Sequence, residues 1–153
     1  LLSISPSDIG KDRLYPAPKN EILITYGWEI AVLESIRGAE ALVKVQESNM
    51  FNDPPDAGME YIVVRIHVRY IGTDDKSVNI SSSDFKSTGS ANTVYDNPYV
   101  VSPEPSLDIT LYPGGEYEGW VVVQAAEGET GVSLVFDPLW DFSGDSKRYI
   151  SLD

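Results

Sequence analysis

The chain has 153 residues, no cysteine and a formal net charge of −13. This length suits one domain with a sizeable core, and the lack of cysteine excludes disulfides, thiolate metal sites and thiol catalysis. The negative charge repels phosphate groups, so we expect no nucleic-acid partner and no direct binding to anionic lipids. No apolar run approaches the ~20 residues that a membrane-spanning helix needs.

The first twenty residues differ in character from the rest. Residues 1–20 combine three prolines with mixed polar residues, which is typical of a linker or an irregular lead-in. We therefore expect the folded domain to span residues 21–153. The chain begins with Leu1 rather than methionine, so we expect any signal peptide or lipid anchor to have been removed.

The start of the domain predicts two strands and one helix. Residues 22–26 and 28–36 are strand-like and separated by Gly27. Residues 39–51 place apolar side chains at helical spacing and form the single predicted helix, although a strand also fits part of this segment. A loop must follow at 52–58, because its two consecutive prolines cannot donate backbone hydrogen bonds.

The clearest strand covers residues 60–71. Apolar side chains alternate there with Arg65, His67 and Arg69, so one face of the strand is apolar and the other is basic. Shorter predicted strands follow at 78–80, 84–87, 93–95, 107–111, 117–123, 132–136 and 148–152, separated by turn signals. This pattern favours a β-sandwich, with a closed barrel as the alternative.

The expected core collects the inward-facing residues of these strands. Burial of such side chains contributes about 1.5–3 kcal/mol each and drives the sheets together. The predicted core residues are Trp28, Ile30, Val32, Ile62, Val64, Ile66, Val68, Val121, Val123, Leu134 and Phe136.

Three motifs in the chain resemble one bacterial family. They are a tryptophan-containing first strand at 27–32, a glycine before a Tyr-Ile-Val-Val strand at 58–64, and a Pro-Gly-Gly turn leading to Val-Val-Val at 111–123. In this order they resemble a widespread family of unknown function, mostly exported lipoproteins or secreted proteins of Gram-positive bacteria, related to a mycobacterial secreted immunogenic antigen. The resemblance covers roughly residues 21–153.

That resemblance implies a fold and a location. The fold is all-β, an immunoglobulin-like two-sheet antiparallel β-sandwich with at most one short helix. The location is extracellular or anchored at the cell surface. The family supplies no catalytic residues, so the resemblance implies nothing about a reaction.

The basic strand face has two interpretations. Arg65 and Arg69 either form a positive stripe for an acidic partner or pair with the chain's own carboxylates, and we prefer the pairing. His67 is the chain's single histidine, so it cannot build a multi-histidine metal site, and we interpret it as a surface residue.

Two acidic loops are the candidate metal sites. Asp53 and Asp56 flank two prolines, and Asp137, Asp141 and Asp145 recur at four-residue spacing. Calcium takes about six to eight oxygen ligands, which such loops can supply, and it is the one cofactor the sequence suggests. Neither loop matches an EF-hand, so we favour carboxylates that cap turns and keep calcium as the alternative.

Trp140 and Phe142 are the candidate aromatic ligand contacts. They lie in the loop after the strand at 132–136, where they either plug the end of the sandwich or form an exposed anchor. We favour the plug, because exposed large aromatic side chains are unfavourable unless they bind something.

We therefore expect a non-catalytic cell-envelope domain, displayed on the surface or secreted, that binds an unidentified protein or glycan. A membrane would hold it only through the removed N-terminal anchor. The first alternative is a carbohydrate-binding module that uses the loop aromatics. A hydrolytic enzyme is a weaker alternative, because no feature of the sequence brings a nucleophile, a base and an orienting group together.

Overall fold

Two antiparallel sheets of four strands form the body of the protein in a computed structural model, which describes residues 7–153. In chain order the strands are β1 (Leu23–Thr25), β2 (Trp28–Arg37), β3 (Met59–Tyr70), β4 (Val78–Ser81), β5 (Phe85–Thr88), β6 (Val94–Tyr95), β7 (Asp108–Leu111), β8 (Glu116–Ala126), β9 (Ser133–Phe136) and β10 (Arg148–Ser151). The first sheet has the order β1-β2-β3-β8, and the second has the order β10-β9-β5-β6. Strands β4 and β7 pair separately as a two-stranded ribbon.

The main core lies between the sheets. It contains every predicted core residue, and Val64 and Ile66 of β3 have no exposed surface. Apolar alternation along β3 and β8 explains this arrangement, because one face of each strand turns inward. The prediction of an all-β two-sheet sandwich is confirmed, and the separate strand orders of the sheets exclude the closed barrel.

The α-helix α1 (Ala39–Ser48) covers the outer face of the first sheet. Ala41 and Val45 pack there against Val63 and Val122, forming a second apolar cluster. The sequence predicted a helix to residue 51, but the helix ends earlier because Asn49 adopts an extended conformation. No helix within residues 7–153 has the length and apolar character to cross a membrane.

A bulge in β2 changes which of its side chains face the core. The register with β3 shifts between Val32 and Glu34, so Glu34 lies opposite Arg65 on the outer face. Ile36 consequently packs in the outer cluster with α1 rather than in the main core. Simple alternation from Trp28 would place both residues on the inward face, because the sequence does not reveal the inserted residue that reverses the alternation.

Residues 7–20 form no strand or helix, and their central part runs along the outer edge of β10 in the second sheet. The backbone N–H of Ala17 donates to Tyr149 O at 2.8 Å, and the N–H of Ser151 donates to Ala17 O at 2.8 Å. Ala17 is 1% exposed. These bonds satisfy part of the outer edge of β10 and attach the lead-in to the sandwich.

Candidate functional site

An aromatic groove opens at one end of the sandwich, with a cavity volume of about 460 Å³. It forms where the β1–β2 turn, the end of β3, the start of β4 and the loop after β9 meet. We call it the end groove. It is lined by Tyr26, Gly27, Tyr70, Ser77, Val78 and Trp140.

Tyr70 is part of the lining of the end groove, and its ring is held in place from two sides. It packs against the buried Trp28, with ring centroids 5.0 Å apart and ring planes tilted by 42°. Gly27 has a φ of +85°, and its carbonyl accepts a 2.8 Å hydrogen bond from Ile71 N–H next to the ring. The Tyr70 hydroxyl lies over Gly72, where a Cβ would displace it. Packing against Trp28 therefore orients the ring in the absence of a ligand.

A buried carboxylate positions the loop that carries Trp140. Asp84 is 6% exposed and accepts hydrogen bonds from Ser81 N–H at 3.0 Å and Leu139 N–H at 3.4 Å. Its backbone carbonyl also accepts from Asp137 N–H at 2.9 Å. Burial raises the pKa of the Asp84 carboxyl, and the two backbone hydrogen bonds oppose that rise only in part.

Asp141 holds the same loop from inside. Its carboxylate accepts from the Ser143 hydroxyl at 2.6 Å and from Ser146 N–H at 2.8 Å. The hydrogen bonds from Ser143 and then from Ser146 hold the pKa of Asp141 well below its ordinary range. The Ser146 carbonyl in turn accepts a 2.7 Å hydrogen bond from the Thr25 hydroxyl, and this bond fastens the loop to β1 beside Tyr26.

The lining gives the end groove a definite chemical character. Among its lining residues there is no carboxylate, imidazole, amine or guanidinium. Three aromatic rings supply apolar surface, and the Tyr26, Tyr70 and Ser77 hydroxyls supply hydrogen-bonding groups. Such a surface suits a neutral ligand that has both an apolar face and polar edges.

The loop aromatics do not plug the sandwich. Trp140 is 47% exposed and forms part of the groove, while Phe142 is 98% exposed and is not among the lining residues. The plug interpretation is wrong, because the loop is fastened through polar groups and needs no buried ring to hold it. Sequence reasoning did not single out Tyr26 or Tyr70. The one signal for them was their position at strand ends, one or two residues before a glycine.

The basic face of β3 is neutralised by the chain itself. All three basic side chains contact glutamates on the neighbouring strands, in agreement with the preferred pairing. The contacts are Arg65 with Glu34 and Glu118 at 3.4 and 3.1 Å, Arg69 with Glu29 at 3.5 Å, and His67 with Glu116 at 3.1 Å. These side chains are partly exposed, so the pairs contribute little to stability and leave no positive stripe.

The acidic loops do not converge on one point. Within residues 7–153 no three acidic or histidine side chains are grouped in a way that suits a metal ion. Asp141 caps its own turn, and Asp137 pairs with Lys147 at 3.8 Å. Asp53 and Asp56 lie in a different loop, beside Tyr61. Calcium binding at either loop stays a prediction.

Comparison with known proteins assigns the chain to a family. It belongs to the family described as a domain of unknown function, DUF4352, whose model matches residues 35–147. No curated protein matches the chain.

Two solved structures from Bacillus subtilis have a similar fold. One is ycdA of strain 168, described as a candidate lipoprotein, with a TM-score of 0.63 and 14% identity over 84% of this chain. The chain covers 37% of that ycdA chain. The other is the yjhA protein, with a TM-score of 0.60 and 15% identity, covering 89% of this chain and 99% of yjhA. At these identities the similarity establishes the fold alone.

Proposed function

We propose that this protein is a non-catalytic binding domain of the cell envelope and that the end groove is its ligand site. The observation that carries the proposal is the meeting of Tyr26, Tyr70 and Trp140 around one open cavity of about 460 Å³. Half-exposed aromatic side chains are unfavourable in water, so their grouping around a cavity points to a ligand that covers them.

A glycan is the ligand class that fits this groove best. A pyranose ring presents a flat C–H face that packs on an aromatic ring, and hydroxyls at its edge that exchange hydrogen bonds. Tyr26 and Trp140 are 50% and 47% exposed, so both rings are accessible, and Ser77 adds a hydroxyl to the lining. The groove carries no charge, which matches a neutral sugar.

The lining also supports a binding role rather than a hydrolytic one. Hydrolysis needs a nucleophile with a base, or a carboxylate pair, close to the bound substrate. The groove lining offers hydroxyls and rings without an adjacent base. The nearest buried carboxylate, Asp84, bonds to the backbone of the Trp140 loop and so serves to position it.

The second part of the proposal is that the protein lies on the outer side of the cell membrane. The resemblance to exported lipoproteins and to a mycobacterial secreted antigen supports it, as does the fold shared with the candidate lipoprotein ycdA. Fractionation of the native host would test this part. Recovery of the full-length product in the medium or the envelope is expected, and recovery in the cytosol alone would contradict it.

A glycan array followed by a fluorescence titration tests the binding role. Trp140 lies in the groove while Trp28 is buried, so a bound glycan should change the tryptophan emission through Trp140. Trp140→Ala should weaken binding by about 30-fold, the loss typical of a tryptophan at the centre of an interface.

Phe142→Ala is the matched control, because it removes an aromatic side chain two positions away that lies outside the groove lining. Its affinity should equal that of the wild type. Equal losses in the two variants, or an array without hits, would count against the end groove as the glycan site.

A further inference from the structure

A second cleft lies at the other end of β3 from the end groove. We call it the tyrosine cleft. Its volume is about 460 Å³, and its lining includes Tyr61, Tyr95 and Tyr99 together with Asp53, Asp56 and Asp96. Tyr61 and Tyr70 lie near opposite ends of β3, so at ~3.4 Å per residue the two sites are about 30 Å apart.

Two of the three rings are held by hydrogen bonds. The Tyr61 hydroxyl donates to Asp53 O at 2.8 Å, and the Tyr95 hydroxyl donates to the buried carboxylate of Glu129 at 2.6 Å. Tyr99 is fully exposed beside them. Tyr61 is 3% exposed and packs in the outer apolar cluster with α1, so it forms the floor of the cleft. The ring surface open to a ligand comes from Tyr95, which the fold holds in place, and from the exposed Tyr99.

The loops that form the cleft are clamped to each other. Asn52 donates through its side-chain amide to Val101 O at 2.9 Å and accepts from Val101 N–H at 2.8 Å. Gln124 of β8 also donates to Asp96 O at 2.7 Å. The proline-containing loop at 52–56 and the loop at 96–101 are thus fixed relative to one another, which lowers the entropy lost when a ligand binds.

The carboxylates of the cleft have few cationic neighbours. Among residues 7–153, neither Asp53 nor Asp56 forms an ion pair, and Asp96 is 94% exposed with Lys86 at 3.6 Å. Burial, and then the charges of Asp53 and Asp56, raise the pKa of Tyr61, so both negative charges act at the ring. The cleft thus combines the unpaired charges of Asp53 and Asp56 with the accessible rings of Tyr95 and Tyr99.

We propose that the tyrosine cleft binds a small organic cation whose charged group is an alkylated or primary ammonium. The negative face of an aromatic ring attracts such a cation, and the flanking carboxylates add to that attraction. Val94 and Pro98 supply apolar surface for the alkyl groups. An organic cation also suits the site better than calcium, because the carboxylates are not gathered around one point.

Titration with choline, followed by ¹H–¹⁵N NMR, tests the proposal. The side-chain amide of Gln124 lies in the cleft lining and is the natural reporter. Choline should shift it saturably, whereas 3,3-dimethylbutan-1-ol, the neutral isostere of choline, should not. Nα-acetyl-lysine methylamide, which keeps the primary ammonium of the lysine side chain, is the second probe. Tighter binding of choline would identify a quaternary ligand, and tighter binding of the lysine derivative would identify a primary amine.

Three variants test which side chains of the cleft contribute to cation binding. Asp53→Asn with Asp56→Asn should weaken cation binding about three- to tenfold, because it removes two nearby charges. It keeps the Tyr61 hydrogen bond, whose acceptor is a backbone carbonyl. Asp74→Asn with Asp75→Asn removes the same charge from an exposed turn and should leave the Kd unchanged. Tyr99→Ala should weaken binding about two- to fivefold.

Two results would overturn the proposal. One is the absence of saturable shifts with both cations up to ~20 mM, or equal shifts with the neutral alcohol. The other is an unchanged Kd in the Asp53→Asn, Asp56→Asn variant while circular dichroism shows an intact fold.

Discussion

The buried carboxylate of Glu129 is expected to be a principal source of stability at the turn between β8 and β9. Glu129 is 8% exposed and accepts from the Tyr95 hydroxyl at 2.6 Å, Ala126 N–H at 3.0 Å and Ala91 N–H at 3.0 Å. Gly89 lies so close that a Cβ there would collide with the carboxylate. The carboxylate thus joins the turn to the segment that precedes β6.

Glu129→Gln keeps the shape of the side chain but changes its hydrogen bonding. The remaining carbonyl oxygen can still accept from Tyr95 and Ala126, whereas the new amide group faces the Ala91 N–H, donor against donor. Loss of one hydrogen bond to a charged acceptor, with a buried donor left unsatisfied, costs about 2–3 kcal/mol. For a chain of this size the thermal midpoint should fall by about 4–10 °C.

The pH dependence of this stabilisation has a defined sign. Burial opposes ionisation of Glu129, but the hydrogen bonds from Tyr95, Ala91 and Ala126 outweigh it, so its pKa lies below the ordinary value of 4.5. The unfolded chain therefore binds the proton more readily than the folded one. The contribution of Glu129 is fully present above about pH 4.5 and is lost as the pH falls through the folded-state pKa.

This effect is measured by urea denaturation at pH 7 and at pH 3.5. The wild type is compared with Glu129→Gln and with the exposed control Glu127→Gln. Glu127→Gln makes the same charge change on the same turn and should stay within about 0.5 kcal/mol of the wild type. A Glu129→Gln variant as stable as the control at pH 7 would show that the carboxylate does not stabilise this turn. So would a difference between wild type and variant that does not shrink in acid.

Three further predictions concern single substitutions, each measured by denaturation. Gly119→Ala should cost more than ~2 kcal/mol, because its Cβ would lie 2.7 Å from the backbone of Leu107, and stability like the wild type would contradict this packing. Asp141→Ala should cost about 1 kcal/mol at pH 7. Hydrogen bonds lower the pKa of Asp141, so that cost should persist down to the ordinary carboxyl value of 3.8 and shrink only as the pH falls through the lowered pKa, and a cost already lost at about pH 5 would contradict the assignment. Arg65→Ala should change stability by less than about 1 kcal/mol, and a larger loss would mean that its ion pairs are stronger than exposed pairs usually are.

The fold could be predicted because its main signals are local. The alternation of apolar and polar side chains along β3 and β8 indicates which side chains face the core, and glycines and prolines indicate the turns. The bulge near Leu33 in β2 escaped prediction, since one inserted residue leaves the apolar pattern intact while it reverses the faces.

The sites could be predicted only in part, because distant segments build them. Trp140 was singled out from the sequence, but Tyr26 and Tyr70 join it only through strand pairing and loop docking. Asp53 and Asp56 were expected to cap turns or bind calcium. Their proximity to Tyr95 and Tyr99 depends on contacts between segments about forty residues apart, which no local pattern encodes.

The indole ¹H–¹⁵N signals of the three tryptophans give the sharpest test of whether the end groove binds a glycan. Trp28 is buried in the core, Trp120 packs beside α1 with Lys44 over its ring, and Trp140 lies in the groove. During titration with a glycan selected on an array, we expect a saturable shift of the Trp140 signal and an unmoved Trp120 signal. A shift confined to Trp120, or no shift of Trp140 at saturation, would contradict it.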